Sequence, residues 1–90
     1  MEKLSLIEGN FCADEASEIL RNVFSAKISF HENKNFSSQE RFGKHDETAQ
    51  RRIPELKNSM NKLLKIVAEA KSGKKKLKIT SEINISISDE

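Results

Sequence analysis

Between Ala49 and Ala70 the apolar residues Ala49, Ile53, Leu56, Met60, Leu63, Val67 and Ala70 recur at steps of four, three, four, three, four and three. Residues three and four apart lie on one side of an α-helix, so the spacing predicts a helix with one unbroken apolar stripe. A stripe of this length has to be covered, and the rest of the chain reads as the material that covers it. Asp46 is a good cap for such a helix over residues 46–72. Pro54 complicates its start, because a proline inside a helix removes one backbone hydrogen bond and clashes with the preceding turn, at ~3 kcal/mol. Either the helix kinks there or residues 46–52 form a separate turn. The helix is expected to end at Ser72-Gly73, with Gly73 in the left-handed cap position and Lys71, Lys74 and Lys75 complementing the negative end of the dipole.

Upstream, Leu4 and Leu6 alternate with Lys3 and Ser5, the pattern of a short half-buried strand over residues 3–7, with Glu8-Gly9-Asn10 as a turn behind it. Residues 12–30 read as a helix. Asp14, Glu15 and Glu18 suit its positive end, Asn10 is a better cap than Cys12, and Ala16, Ile19, Leu20, Val23 and Phe30 form the apolar face. Lys27 falls within that face with His31 one turn on, a pair that reads either as an anion site or as a lysine stem packed on apolar neighbours. No period persists through residues 31–45, which are read as a long connection. Within it Ser37 and Glu40 have capping-box spacing, so a helical turn from Ser38 to Phe42 stopping at Gly43 is expected.

From Leu77 the period becomes two. Leu77, Ile79, Ile83, Ile85 and Ile87 point one way, interrupted only by Ser81, and Lys78, Thr80, Glu82, Asn84, Ser86 and Ser88 point the other. This predicts a strand over residues 77–88 with one buried and one wet face. The fold class is therefore α+β, in the order β-α-α-β, with a long helical hairpin on one face of a small sheet in a single 90-residue domain. A chain this small has a thin core unless something is added. One cysteine excludes an internal disulfide, and no cysteine–histidine cluster suggests a structural metal. Self-association remains. The final strand, more than twice as long as the first, predicts a homodimer in which two copies join those strands about a two-fold axis near Ile85.

The charge distribution narrows the functional classes. Residues 1–20 carry −4, 21–50 +1, 51–78 +8 and 79–90 −3, which sum to the net +2. The basic excess centres on Lys71, Lys74, Lys75, Lys76 and Lys78, with Arg51 and Arg52 upstream. Lysines neutralise phosphates without reading bases, so this cluster would give salt-dependent, sequence-blind nucleic-acid binding. The simpler reading makes it a solvated helix end and turn. A second candidate is the stretch in which Phe30, Phe36 and Phe42 are interleaved with His31, Lys34, Arg41, Lys44 and His45. Aromatics beside Arg and Lys can form a recognition surface for a base, a peptide or an acidic group, with Phe36, Arg41, Phe42 and His45 as its residues, whereas the simpler reading has the rings pin the connection onto the helices. For catalysis Cys12, His31, His45 and Asp46 are isolated residues that match no motif, and no phosphate-cradling glycine loop is present. The sequence thus predicts a small non-enzymatic interaction or regulatory module with a protein partner, needing no cofactor or metal, and a nucleic-acid-binding accessory protein as the rival. The charged N-terminal stretch, the absence of an apolar run of membrane-spanning length and the lone cysteine suggest a soluble, cytoplasmic protein.

Overall fold

The computed structural model describes residues 1–89. Its elements are β1 (Glu2–Phe11), α1 (Ala13–Phe42), α2 (Glu47–Ser72) and β2 (Leu77–Ile85). This is the β-α-α-β order expected, with two helices packed against a two-stranded antiparallel sheet.

The stripe of α2 is its covered side. Ala49, Leu56 and Val67 are buried, and Ile53, Met60, Leu63 and Ala70 are half-buried. Pro54 lies inside α2, which runs as one helix from Glu47, so residues 46–52 are not a separate turn. Pro54 has no N–H to offer the Gln50 carbonyl, and Gln50 is an exposed residue of α2. Asp46 caps the helix as expected, its Oδ2 accepting from the Ala49 N–H at 2.9 Å.

The expected long connection over residues 31–45 is corrected by the structure. α1 continues to Phe42, and the link between the helices is residues 43–46. Leu20, Phe24, Ile28, His31, Asn35 and Ser38 follow at steps of four, four, three, four and three, and all are buried or half-buried. The seam toward α2 therefore persists, carried over its last three positions by polar side chains. Gly43 closes α1 at φ 67°, and its N–H donates to the Gln39 carbonyl at 2.9 Å. The tip is tied across the hairpin: the Asp46 N–H donates to Asn35 Oδ1 at 2.9 Å, and Ser38 Oγ donates to the Lys44 carbonyl at 2.9 Å.

The apolar face expected for α1 is also displaced. Ala16 is fully buried and Ile19 and Leu20 are half-buried, but Val23 is 39% and Phe30 51% exposed. Consecutive residues are about 100° apart round a helix. With His31 in the seam, Phe30 and Val23 fall on the adjoining side.

The first strand is twice the expected length. An extra residue between Ser5 and Ile7 makes a bulge, after which Ile7 pairs with Ser81, Gly9 with Ile79 and Phe11 with Leu77. Side chains alternate across a strand, so without this bulge Leu4 and Ile7 would lie on opposite faces. With it, Leu4, Ile7 and Phe11 share the face of the β2 isoleucines. Gly9, expected in a turn, takes φ 147° within the strand, where a Cβ would be strained. β2 stops at Ile85 and is paired along its whole length, so the mismatch in strand length that suggested a dimer does not exist. Ile87, expected on the buried face, lies beyond the strand and is fully exposed.

Two caps differ from expectation. Asn10 is held in the ladder opposite Lys78, which leaves Cys12 as the cap of α1. Glu15 reaches back to it, with the Cys12 N–H donating to Oε1 at 3.2 Å. Bonding to the Cys12 thiol first, then to its backbone N–H, with help from the charge of Lys76, holds the Glu15 carboxyl below its ordinary range. At the end of α2 it is Lys74, at φ 55°, that turns left-handed, whereas Gly73 sits at φ −85°. The Lys75 N–H then donates back to the Ala70 carbonyl at 2.8 Å, closing the helix end with a lysine where glycine costs least.

Helices and sheet meet at one end of the molecule. Ala13, Ala16 and Val67 form the buried cluster there, with Phe11, Leu63, Leu77 and Ile79 packed against it. The other half of the sheet face projects past the helices, leaving Leu4, Ile83 and Ile85 at 49, 39 and 48% exposure. The molecule measures 50 × 30 × 15 Å. Its radius of gyration is 16.3 Å, against about 12 Å for a compact chain of this length.

Candidate functional site

The residues expected to form a protein-binding surface do not share one. Phe36 and Phe42 are 60 and 69% exposed, but six residues apart on a helix they point about 120° from one another, and Arg41 points a further direction. His45 belongs to the tip, where its ring Nδ1 lies 2.8 Å from Gln39 Nε2. The aromatic that does stand among cations is Phe30. The Lys27 and Lys34 ammonium groups lie 5.2 and 5.8 Å from its ring centroid. Phe30, Asn33, Lys34, Ser37 and Arg41 line one shallow groove along α1. Lys27, Lys34 and Arg41 repeat every seven residues, which returns them to nearly the same side of the helix as Phe30 and Val23. The signal was present in the sequence, in the spacing of Lys27, Phe30, Lys34 and Arg41. Phe30, Lys34 and Arg41 belong to the stretch singled out from the sequence, but the helical spacing of Phe30 with Ala16, Ile19 and Val23 also assigned it to the core.

The Lys27–His31 pair is split by the fold. Lys27 is exposed, while His31 is 5% exposed in the seam, its ring edge-on to Phe30 at 5.3 Å. Neither His31 ring nitrogen has a hydrogen-bond partner. An unpaired buried polar group costs about 1–3 kcal/mol, and an apolar replacement of similar shape removes that cost. His31→Leu is therefore expected to raise the free energy of unfolding by about 1–2 kcal/mol in urea melts at neutral pH. A loss of stability would show that the imidazole has a bonding role in the seam.

The basic cluster gathers only in part. Lys71, Lys74, Lys75 and Lys76 line a depression with Cys12, Ala13, Asp14 and Ala70. Lys71 Nζ is 3.1 Å from Asp14 Oδ1, an exposed pair of the kind that contributes at most ~1 kcal/mol. Lys78 lies on the strand, opposite Asn10. With Asp14 and Glu15 beside four lysines, the local excess of positive charge is about half what the sequence run suggests.

The side chains suited to covalent or acid–base chemistry are far apart. Cys12 is a free, exposed thiol at the start of α1. His45 lies beyond the other end of a 30-residue helix, which spans about 45 Å. Asp46, next to His45, is engaged by the Ala49 N–H. Among the described residues no cluster of three or more His, Cys, Asp or Glu is placed to hold a metal ion, and no helix is long and apolar enough to cross a membrane. Compared with family models, with curated proteins and with solved structures, the chain matches none.

Proposed function

We propose that the protein is a small non-enzymatic interaction module whose outward side of α1 binds an acidic, partly apolar segment of a partner protein. The observation that carries this reading is Phe30, half out of the protein on the side of α1 that also bears Lys27, Lys34 and Arg41. A stability role would place such a ring in the seam. On the surface, flanked by Lys27, Lys34 and Arg41, it offers an apolar contact ringed by charges of one sign, which favours carboxylates beside an aliphatic or aromatic side chain. The free thiol of Cys12 fits a reducing compartment, so we place the module in the cytoplasm.

The test is fluorescence anisotropy with a labelled peptide that alternates Glu and Leu, at two salt concentrations. The expected result is binding that weakens with salt and is lost in Lys27→Glu/Lys34→Glu, whose helical circular dichroism is unchanged. Absence of binding, or binding indifferent to the two reversals, overturns the reading.

The nucleic-acid reading keeps one supporting observation, the shared depression lined by Lys71, Lys74, Lys75 and Lys76. It ranks second because Asp14 and Glu15 offset that charge. Binding to single- or double-stranded nucleic acid that falls steeply with salt, and is lost when Lys74, Lys75 and Lys76 become Ala, would promote it.

A further inference from the structure

We infer that two copies of this chain join through the outer edge of β2, about a two-fold axis at Ser81, to form one four-stranded sheet in the order β1-β2-β2-β1. This goes beyond the proposed α1 surface and uses none of its residues.

The first ground is area. The molecule exposes 7285 Å², whereas a compact monomer of its mass exposes about 5300 Å². The excess of about 2000 Å² exceeds the ~800 Å² per partner that a stable interface removes. Among the described residues no large side chain is fully buried. The missing core has to come from outside one copy, and a second copy supplies it at equal concentration.

The second ground is the difference between the two edges. Within the described residues the sheet has two strands, so β1 and β2 each present one edge without a neighbouring strand. The β1 edge is interrupted by the bulge before Ile7 and by Gly9 at φ 147°. Bulges of this kind are among the devices that block edge pairing. β2 carries no bulge, proline or glycine over its nine residues. Its edge is the one open to another strand.

The third ground is register. Ser81 is the midpoint of Leu77–Ile85, and an antiparallel pairing centred there is the one that engages all nine residues of both copies. It sets Leu77 opposite Ile85 of the partner copy, and Ile79 opposite Ile83 of the partner copy, all on one face. Leu77 and Ile79 are the half that packs on the helices, and Ile83 and Ile85 the half that projects past them. Each copy thus lays its covered half beside the uncovered half of the other, which brings a helix end toward the exposed isoleucines. On the polar face Lys78 falls opposite Asn84 and Thr80 opposite Glu82, with Lys78 and Glu82 as diagonal neighbours of opposite charge. Ser81, the one polar position in the isoleucine series, meets its own copy at the axis, where a small side chain is needed.

The experiment uses the full chain. Sedimentation equilibrium at tens of micromolar should show a species of twice 10.2 kDa. In a Cys12→Ser background, Ser81→Cys should form a disulfide-linked dimer under mild oxidation by diamide, because directly opposed residues have Cα atoms about 4.5–5.5 Å apart, within the span of a disulfide. Ile85→Cys in the same background should not, since it faces Leu77 of the partner copy. A 10.2 kDa monomer, or crosslinking at position 85 in place of 81, overturns the proposal. The unmodified chain's mass is read independently of whether the cysteine variants fold.

Discussion

Leu56→Ala lowers the free energy of unfolding by about 2–5 kcal/mol, read in urea melts by far-ultraviolet circular dichroism. Leu56 is 7% exposed at the middle of the α2 stripe, flanked along it by Ile53 and Met60. Truncation to Ala removes its transfer free energy and leaves a void that two long helices cannot close without shifting along their whole contact. A small domain has only about 5–15 kcal/mol in total, so the variant should lie near the edge of folding at ambient temperature. A loss under ~1 kcal/mol would mean that the stripe is not the core of the hairpin.

Ala16→Asp has a comparable effect through a different mechanism. Ala16 has no exposed surface and sits in the cluster that joins helices to sheet, between Val67 and the side chains of Phe11, Leu77 and Ile79. A carboxylate there loses its water and has no cation within the apolar cluster to replace it, a penalty of several kcal/mol. The expected loss is above ~3 kcal/mol at pH 7, with the backbone amides of Leu77–Ile85 losing their strand chemical shifts first. Burial raises the folded-state pKa of such an Asp above its unfolded value. The variant's deficit should therefore grow as pH rises through the unfolded Asp range near ~4 and shrink in more acid solution. A cost under ~1 kcal/mol that does not vary with pH would show that the joint between hairpin and sheet is open to water.

The element order was legible because two periods are strong in this chain. The seven-residue stripe of α2 and the alternation from Leu77 onward each leave one side to bury, and both stand as read over the paired region. What was lost is the second half of α1, and the reason is chemical. Its seam continues through His31, Asn35 and Ser38, at helical spacing but in polar residues, so a search for apolar periodicity finds nothing after Ile28. The polar seam is what two helices carry toward a tip where Asn35 bonds the next helix's cap. The same blindness moved Phe30 and Val23 into the core, since their spacing with Ala16 and Ile19 is as helical as that of the true seam. Only the position of α2 beside α1 decides between two adjoining sides of one helix.

The first strand was read short because of two residues. Gly9 next to Asn10 is an ordinary turn signal, and Leu6-Ile7 breaks the alternation. In the structure Leu6 is the extra residue of a bulge, and Gly9 sits inside the ladder at a positive φ that glycine adopts freely and other residues do not. Both depend on β2 lying opposite, which no local pattern reports. The basic cluster, by contrast, was visible in full and its meaning was not: Asp14 and Glu15 approach it from 57 or more residues away in the chain, and only the fold sets them against Lys71 and Lys76.

The central claim is that α1 has two distinct sides, one spent on the seam with α2 and one left outward around Phe30. Paired urea melts of Phe24→Ala and Phe30→Ala test it most directly, because both remove the same side chain from the same helix. Phe24, in the seam, should cost about 3 kcal/mol, and Phe30 less than ~1 kcal/mol, as for a surface residue. The reverse order, with Phe30→Ala the more damaging, would put Phe30 in the core and remove the surface on which the proposed interaction rests.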